Sequence, residues 1–153
     1  MKLYHGSNVP VKIPEIRAVG FYKDFGYGFY CTAFEKQAMR WALIKRPEHI
    51  VSVYDYTPNK ELKVLSFPTM TEEWLDFVVD CRRGVSHGYD VVEGPMADDT
   101  IWNYVNDYLS GSIPRNVFWE YAKFKNPTHQ ISFHSLQALE CLEHLWISCM
   151  ANK

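Results

Sequence analysis

The sequence predicts a single α+β domain, and three observations carry that prediction. Several runs are short, aromatic and β-branched with period-two alternation, residues 49–56 most clearly, which suits a half-buried pleated surface. Other runs space apolar residues at i, i+4, i+7 and i+8, the period of a helix with one buried face. At 153 residues, the chain holds one core of ordinary size and is too short for two.

Residues 2–5 read as a strand, with Gly6-Ser7-Asn8 as its exit turn. Pro10, Pro14 and Gly20 keep the next stretch irregular, wrapped over a sheet edge. Residues 24–41 are the stretch around which the chain is organised. Gly26 and Gly28 bracket Tyr27, as a close backbone approach to a ligand requires, or a plain hairpin or bulge. Phe29, Tyr30 and Cys31 form a short strand. Thr32 to Glu35 has the spacing of a capping box, which predicts a helix start there. Phe34, Ala38, Trp41 and Ala42 then share one apolar face, and Arg46-Pro47 stops the helix. Residues 49–56 are a strand, and Pro58-Asn59 turns the chain into a second run at 62–67, a hairpin. Residues 71–83 are a structural helix with Trp74, Leu75, Val78 and Cys81 inside and Gly84 as its C-cap. Its acidic start and its basic end at Arg82 and Arg83 suit the helix dipole. Residues 89–93 are a short strand. Asp98 or Asp99 caps a third helix, and Pro114 opens a fourth. Residues 130–133 are a late strand, Ser135 is an N-cap, and 136–145 form a last amphipathic helix.

The bulk composition narrows the function. Hydrophobic residues at 47% and charged residues at 22% exclude a disordered chain. Aromatics at 16% exceed what a core alone needs and suggest a site or interface. A net charge of −2 carries no overall footprint for nucleic acid, though a local basic patch remains open. Cys31, Cys81, Cys141 and Cys149 have neither zinc-ligand nor disulfide-framework spacing. With no apolar run of membrane-spanning length, a reduced cytoplasmic protein is expected.

Two motifs carry a more specific message. Leu3-Tyr4-His5-Gly6-Ser7, followed by Gly28-Phe29-Tyr30-Cys31-Thr32, resembles the first two motifs of the ADP-ribosyltransferase superfamily, in its diphtheria-toxin-like and poly(ADP-ribose)-polymerase-like branch. A second aromatic is expected eleven residues beyond the tyrosine, and Trp41 stands there. The likeness runs on through residues 89–95 to Gln130 and Phe133-His134. Over nearly its full length the chain is similar to a family of small bacterial domains of unassigned function in that superfamily. The resemblance implies a split mixed β-sheet, two small sheets packed face to face with helices around them, and a cleft between. It implies an NAD-dependent mono-ADP-ribosyltransferase, in the setting of the toxin of a bacterial toxin–antitoxin pair. The alternative is a non-catalytic NAD- or ADP-ribose-binding module of the same fold. The RNA 2′-phosphotransferase branch is disfavoured by the missing basic balance.

By the same resemblance each site residue acquires a role. His5 donates to a ribose hydroxyl, Gly6 offers backbone groups to the carboxamide, and Ser7 supports the motif or the nicotinamide ribose. Gly28 admits the ligand, and Tyr30 and Trp41 form a flat slot for the cationic ring. Gln130 stands where many relatives carry a glutamate, so it orients the ribose without supplying charge. Glu93 and Glu120 are alternative sources of that charge. The implied partners are NAD, a macromolecular acceptor and a small antitoxin protein, with no metal. Beside these readings stand plainer ones. His5 is a strand-end histidine, Tyr30 and Trp41 are core aromatics, Gln130 and His134 are structural, and Asp24 either pins the loop or is a surface carboxylate.

Overall fold

The computed structural model describes residues 1–97, 99–123 and 128–149. Along them run β1 (Lys2–Ser7), β2 (Phe29–Cys31), α1 (Glu35–Leu43), β3 (Ile50–Tyr56), β4 (Val64–Ser66) and α2 (Glu72–Arg82). The second half adds β5 (Val91–Gly94), α3 (Asp99–Leu109), α4 (Arg115–Ala122), β6 (Gln130–Phe133), α5 (Leu136–Leu139) and β7 (Leu142–Cys149). The strands make two small sheets, one ordered β1-β3-β7 and one ordered β2-β6-β5-β4. The expected α+β class with two small sheets is what the chain forms.

Strand alternation explains how the sheets face each other. Leu3, Phe29, Cys31, Tyr54, Ile131 and Phe133 come from both sheets and form one buried cluster between them. Among the described residues one backbone bridge joins the sheets edge to edge. Tyr4 N–H donates to the Thr32 carbonyl and Thr32 N–H to the Tyr4 carbonyl, both at 2.9 Å. Outside the first sheet, Ala38 and Ala42 of α1 pack on Val51 and Val53. Outside the second, Trp74, Val78, Ile101, Val105 and Phe118 bring α2, α3 and α4 against Tyr30 and Val92. Beyond the Tyr4–Thr32 bridge the sheets part, and the inner end of that split carries the site.

Local signals placed several ends correctly. Thr71 caps α2 by accepting from Trp74 N–H at 3.2 Å, and Gly84 follows that helix with φ +87°. Ser135 Oγ accepts from Ala138 N–H at 3.2 Å. Other expectations need correction. The capping box does not form. Thr32 is held extended by its bridge to Tyr4, its hydroxyl accepts from Phe34 N–H at 3.0 Å, and α1 starts at Glu35 with Phe34 as an N-cap making no side-chain bond. Gly6 and Ser7 continue β1 instead of turning, and Pro114 is the N-cap of α4, one residue before its first turn.

The predicted hairpin at 49–67 is also absent, because β3 and β4 belong to different sheets. After Pro58-Asn59 the chain crosses over, and β4 pairs in parallel with β5. Asp90 fixes that register, its carboxylate accepting from Lys63 N–H at 2.9 Å. The last helix stops after one turn at Leu139, and residues 142–149 form β7 on the free edge of β3. Seven residues of β7 pair with β3, with Leu145 passed over at a register shift, and this pairing outweighs the helical spacing of the leucines. The cap predicted at Asp98 lies outside the described residues, and α3 begins at Asp99. Among the described residues no helix is long and apolar enough to cross a membrane.

Candidate functional site

A cavity of about 810 Å³ opens where the sheets part, lined by His5 and Gly6 of β1, Tyr30 of β2, Trp41 of α1 and Gln130 of β6. Its size is that of a small-molecule or cofactor pocket. A second cavity of about 740 Å³ takes Ser7 and Gly28 into its lining. His5, Lys23, Tyr30 and Lys45 line both, so the two spaces share one wall. The expected site residues therefore gather at one place, with Ser7 and Gly28 on the far side of that wall.

Gly6 is needed for packing. A Cβ there would stand 2.2 Å from the Ala38 carbonyl oxygen, 2.8 Å from Ala42 N and 3.0 Å from Trp41 Cβ. Its missing side chain lets α1 lie directly on β1, which carries Trp41 to the cavity wall. Gly28 has a comparable reason, because a Cβ would meet the His134 ring at 2.8 Å. Ser7 turns its hydroxyl to the Val9 carbonyl at 2.5 Å.

Tyr30 is nearly buried, and its hydroxyl organises the glycine turn beside it. The hydroxyl accepts from Phe25 N–H at 3.0 Å and donates to the Gly26 carbonyl at 2.6 Å. Gly26 has φ +84°, which only glycine adopts cheaply. Burial raises the Tyr30 phenol far above its ordinary pKa, so it is a fixed hydrogen-bonding group. Two histidines brace the same turn from outside. His87 Nε2–H donates to the Phe25 carbonyl at 2.9 Å, and His134 Nδ1–H donates to the Tyr27 carbonyl at 2.7 Å. The Tyr30 ring lines the cavity, yet the group over its face is the Lys23 ammonium, 5.0 Å from the centroid, and not Trp41. Partial desolvation, with Lys45 and Arg82 nearby, lowers the Lys23 pKa.

His5 stacks on Phe29 at 4.4 Å and its Nδ1 lies 2.6 Å from the Tyr30 carbonyl. A carbonyl oxygen only accepts, so Nδ1 carries the hydrogen and Nε2 is an acceptor in the neutral ring. Burial lowers the pKa of His5 to about 4, and the ring is neutral at physiological pH. The expectation that His5 donates to a ligand is thereby corrected: its N–H is committed to Tyr30, and Nε2 is able only to accept.

Gln130 is buried, and its amide is committed. Nε2 donates to Asp24 Oδ2 at 2.9 Å and to the Pro95 carbonyl at 3.3 Å. Asp24, 3% exposed, is itself enclosed. Ala97 N–H donates to Oδ2 at 2.7 Å, and Arg82 Nε–H donates to Oδ1 at 2.9 Å with a second bond from the same guanidinium. Arg82 in turn stacks on Trp102 at 3.8 Å. Asp24, then, is no surface carboxylate. The two glutamates considered as charge donors are elsewhere. Glu93 accepts from His129 Nε2 at 2.7 Å, which lowers its pKa, and Glu120 pairs with Lys123 at 2.6 Å. Neither lines the cavity.

Sequence reasoning missed Arg82, Trp102 and Lys23, which also line the cavity. Arg82 read as a dipole complement at the end of a structural helix, and nothing local marks it as the partner of a carboxylate 58 residues earlier. The surplus of aromatics was the one signal that extra rings serve a cavity.

No curated protein and no solved structure matches the chain. One family model does, over residues 1–144, and on that match the chain belongs to the family described as protein of unknown function DUF3990.

Proposed function

We propose that this chain is an NAD-dependent mono-ADP-ribosyltransferase with the split two-sheet fold of the diphtheria-toxin-like branch. One observation carries the reading. His5, Gly6, Tyr30, Trp41 and Gln130, which the resemblance singles out from separate parts of the chain, line a single cavity. In the reaction the bond between C1′ of the ribose and the nicotinamide nitrogen breaks, and its electron pair leaves with nicotinamide. The acceptor's nucleophilic atom forms the new bond to C1′ and loses its proton to solvent. The protein's task is to hold the ring, orient the ribose and keep water out. Tyr30 and Trp41 supply aromatic faces, and His5 Nε2 accepts from a ribose hydroxyl. Lys23 and Lys45 give the diphosphate a cationic wall. The acceptor is a macromolecule, and a cytoplasmic toxin restrained by a small antitoxin protein is the setting this activity fits.

A second reading is favoured by a specific feature. The carboxylate nearest Gln130 is neutralised by Arg82, which suits a non-catalytic NAD- or ADP-ribose-binding module. Incubation of the purified protein with labelled NAD in a bacterial lysate separates the two. Nicotinamide release with transfer of label to a macromolecule supports the transferase, and NAD binding without release supports the module. Absence of both binding and release rejects the NAD reading.

A further inference from the structure

Gln130 is an amide where a carboxylate would add charge, and its surroundings explain why. A glutamate there would bring its carboxylate against Asp24 Oδ2, at the place where Nε2 now donates at 2.9 Å. Two carboxylates so close cannot both ionise. The glutamine turns that conflict into a bond. Both of its amide hydrogens are taken, one by Asp24 and one by the Pro95 carbonyl. Turning the amide over would aim Oε1 at two acceptors and forfeit both bonds, one of them charge-assisted. Oε1 is consequently the amide atom left for the cavity. It has no donor among the described residues, and Gln130 lines the cavity.

We propose that Asp24 is a positioning residue that locks Gln130 with Oε1 toward the cavity, so that Gln130 Oε1 and His5 Nε2 form a pair of acceptors for two sugar hydroxyls. This rests on the functional reading above and specifies what the site demands of its ligand: a ribose whose hydroxyls are free to donate. Asp24 also polarises the amide, since a carboxylate on Nε2–H strengthens Oε1 as an acceptor. The lock is stiff because Asp24 has partners on both oxygens, from Arg82 and Ala97, and Arg82 rests on Trp102. His5 is fixed in the complementary sense by the Tyr30 carbonyl.

A charge exchange tests the proposal. In Asp24→Asn the Oδ1 atom stays on Arg82, so the new amide nitrogen faces Gln130 Nε2–H and Ala97 N–H, both lose their acceptor, and the lock on Gln130 is released. The expected result is a fall in kcat of about tenfold or more with a small change in KM for NAD. In Gln130→Glu the two carboxyls face each other, and activity falls as well. The double variant, Asp24→Asn with Gln130→Glu, exchanges the amide and the carboxyl between the two positions. The amide at position 24 then donates to the carboxylate at position 130, and activity recovers above both single variants. Equal kcat for wild type and Asp24→Asn, or a folded double variant no better than the singles, overturns the proposal. The lock has a readout that needs no NAD. The Gln130 side-chain amide protons of the ligand-free protein are expected downfield and slow to exchange, and solvent-like shifts overturn it. A wild-type protein that neither binds nor cleaves NAD removes the functional reading and with it the ribose, whereas the amide resonances alone reject the lock.

Discussion

The amide nitrogen of Gln130 lies 2.9 Å from the carboxylate of Asp24, a residue 106 positions earlier in the chain. The contact ties the late strand β6 to the glycine turn ahead of β2, and both residues line the cavity. Because Asp24 and Arg82 are 3% and 15% exposed, removing one partner leaves a buried charge uncompensated. Asp24→Ala is expected to destabilise the protein by about 3–5 kcal/mol. Asp24→Ala with Arg82→Met is expected to regain part of that loss. Urea denaturation of the wild type and both variants measures the two effects, and an Asp24→Ala protein of wild-type stability would refute the account.

Tyr30 has two separable functions, one for its ring and one for its hydroxyl. Tyr30→Phe keeps the ring but leaves Phe25 N–H and the Gly26 carbonyl without their partner, at a cost of about 1–3 kcal/mol. NAD affinity is expected to change little. Tyr30→Ala removes a core side chain as well and is expected to cost about 3–5 kcal/mol, so its loss of binding would report unfolding in part. The phenylalanine variant is the sharper test. Lower stability with retained affinity is the expected pair, and loss of affinity in a folded Tyr30→Phe would give the hydroxyl a direct role at the ligand.

Gly6→Ala should disturb the site through α1. The added Cβ would meet backbone atoms of Ala38 and Ala42, which cannot swing aside as a side chain can. Overpacking of this kind costs about 1–3 kcal/mol and more where backbone must move. Faster amide exchange along α1, with β3 and β7 protected as before, is the expected signature. Unchanged exchange in α1 would show that the helix tolerates the methyl group.

Signals that act within a few residues were legible. Thr71, Ser135 and Gly84 mark helix ends because a cap is a bond between near neighbours. The spacing from Tyr30 to Trp41 carried over because one strand and the helix after it set both positions. What depends on partners far along the chain was not legible. Leu65 pairs in parallel with Val92, and Trp146 pairs antiparallel with Val53, and neither partner is written near those residues. For the same reason Asp24 stood between two readings in the sequence, and contacts from Arg82, Ala97 and Gln130 decide between them. Thr32 had the correct spacing for a cap and was claimed by Tyr4 instead.

Two partly buried histidines set a pH window for stability. Burial lowers the pKa of His5 and His134 from 6.5 to about 4, with Lys23 and Lys45 facing His5 and His87 facing His134. Between those values the unfolded chain binds more protons than the folded one, so stability rises with pH. Their contribution is present above about pH 6.5 and is lost as pH falls toward 4. Each histidine adds a slope of up to about 1.4 kcal/mol per pH unit. Denaturation midpoints measured across that range should fall steadily in the wild type and less steeply in His134→Gln. Parallel profiles would mean that His134 is not held neutral by the fold.

Lys23 predicts how the cavity treats a cationic ring. Its ammonium stands 5.0 Å from the centroid of Tyr30, where a pyridinium would gain the same cation–π attraction. A ligand cation must therefore displace or repel it. Lys23→Met is expected to tighten binding of 1-methylnicotinamide, a pyridinium without phosphates, by about 2- to 30-fold, matching roughly 0.5–2 kcal/mol. Neutral nicotinamide should bind the two proteins alike. NAD should gain less than 1-methylnicotinamide, because the lost charge also attracts its diphosphate. Since partial desolvation and the neighbouring cations lower the Lys23 pKa, wild-type affinity for the cation should rise toward the variant's in alkaline solution, while the variant's own affinity stays level. Titrations followed by NMR at two pH values measure all four comparisons. Equal affinity of both proteins for 1-methylnicotinamide would show that the ring binds away from the Tyr30 face.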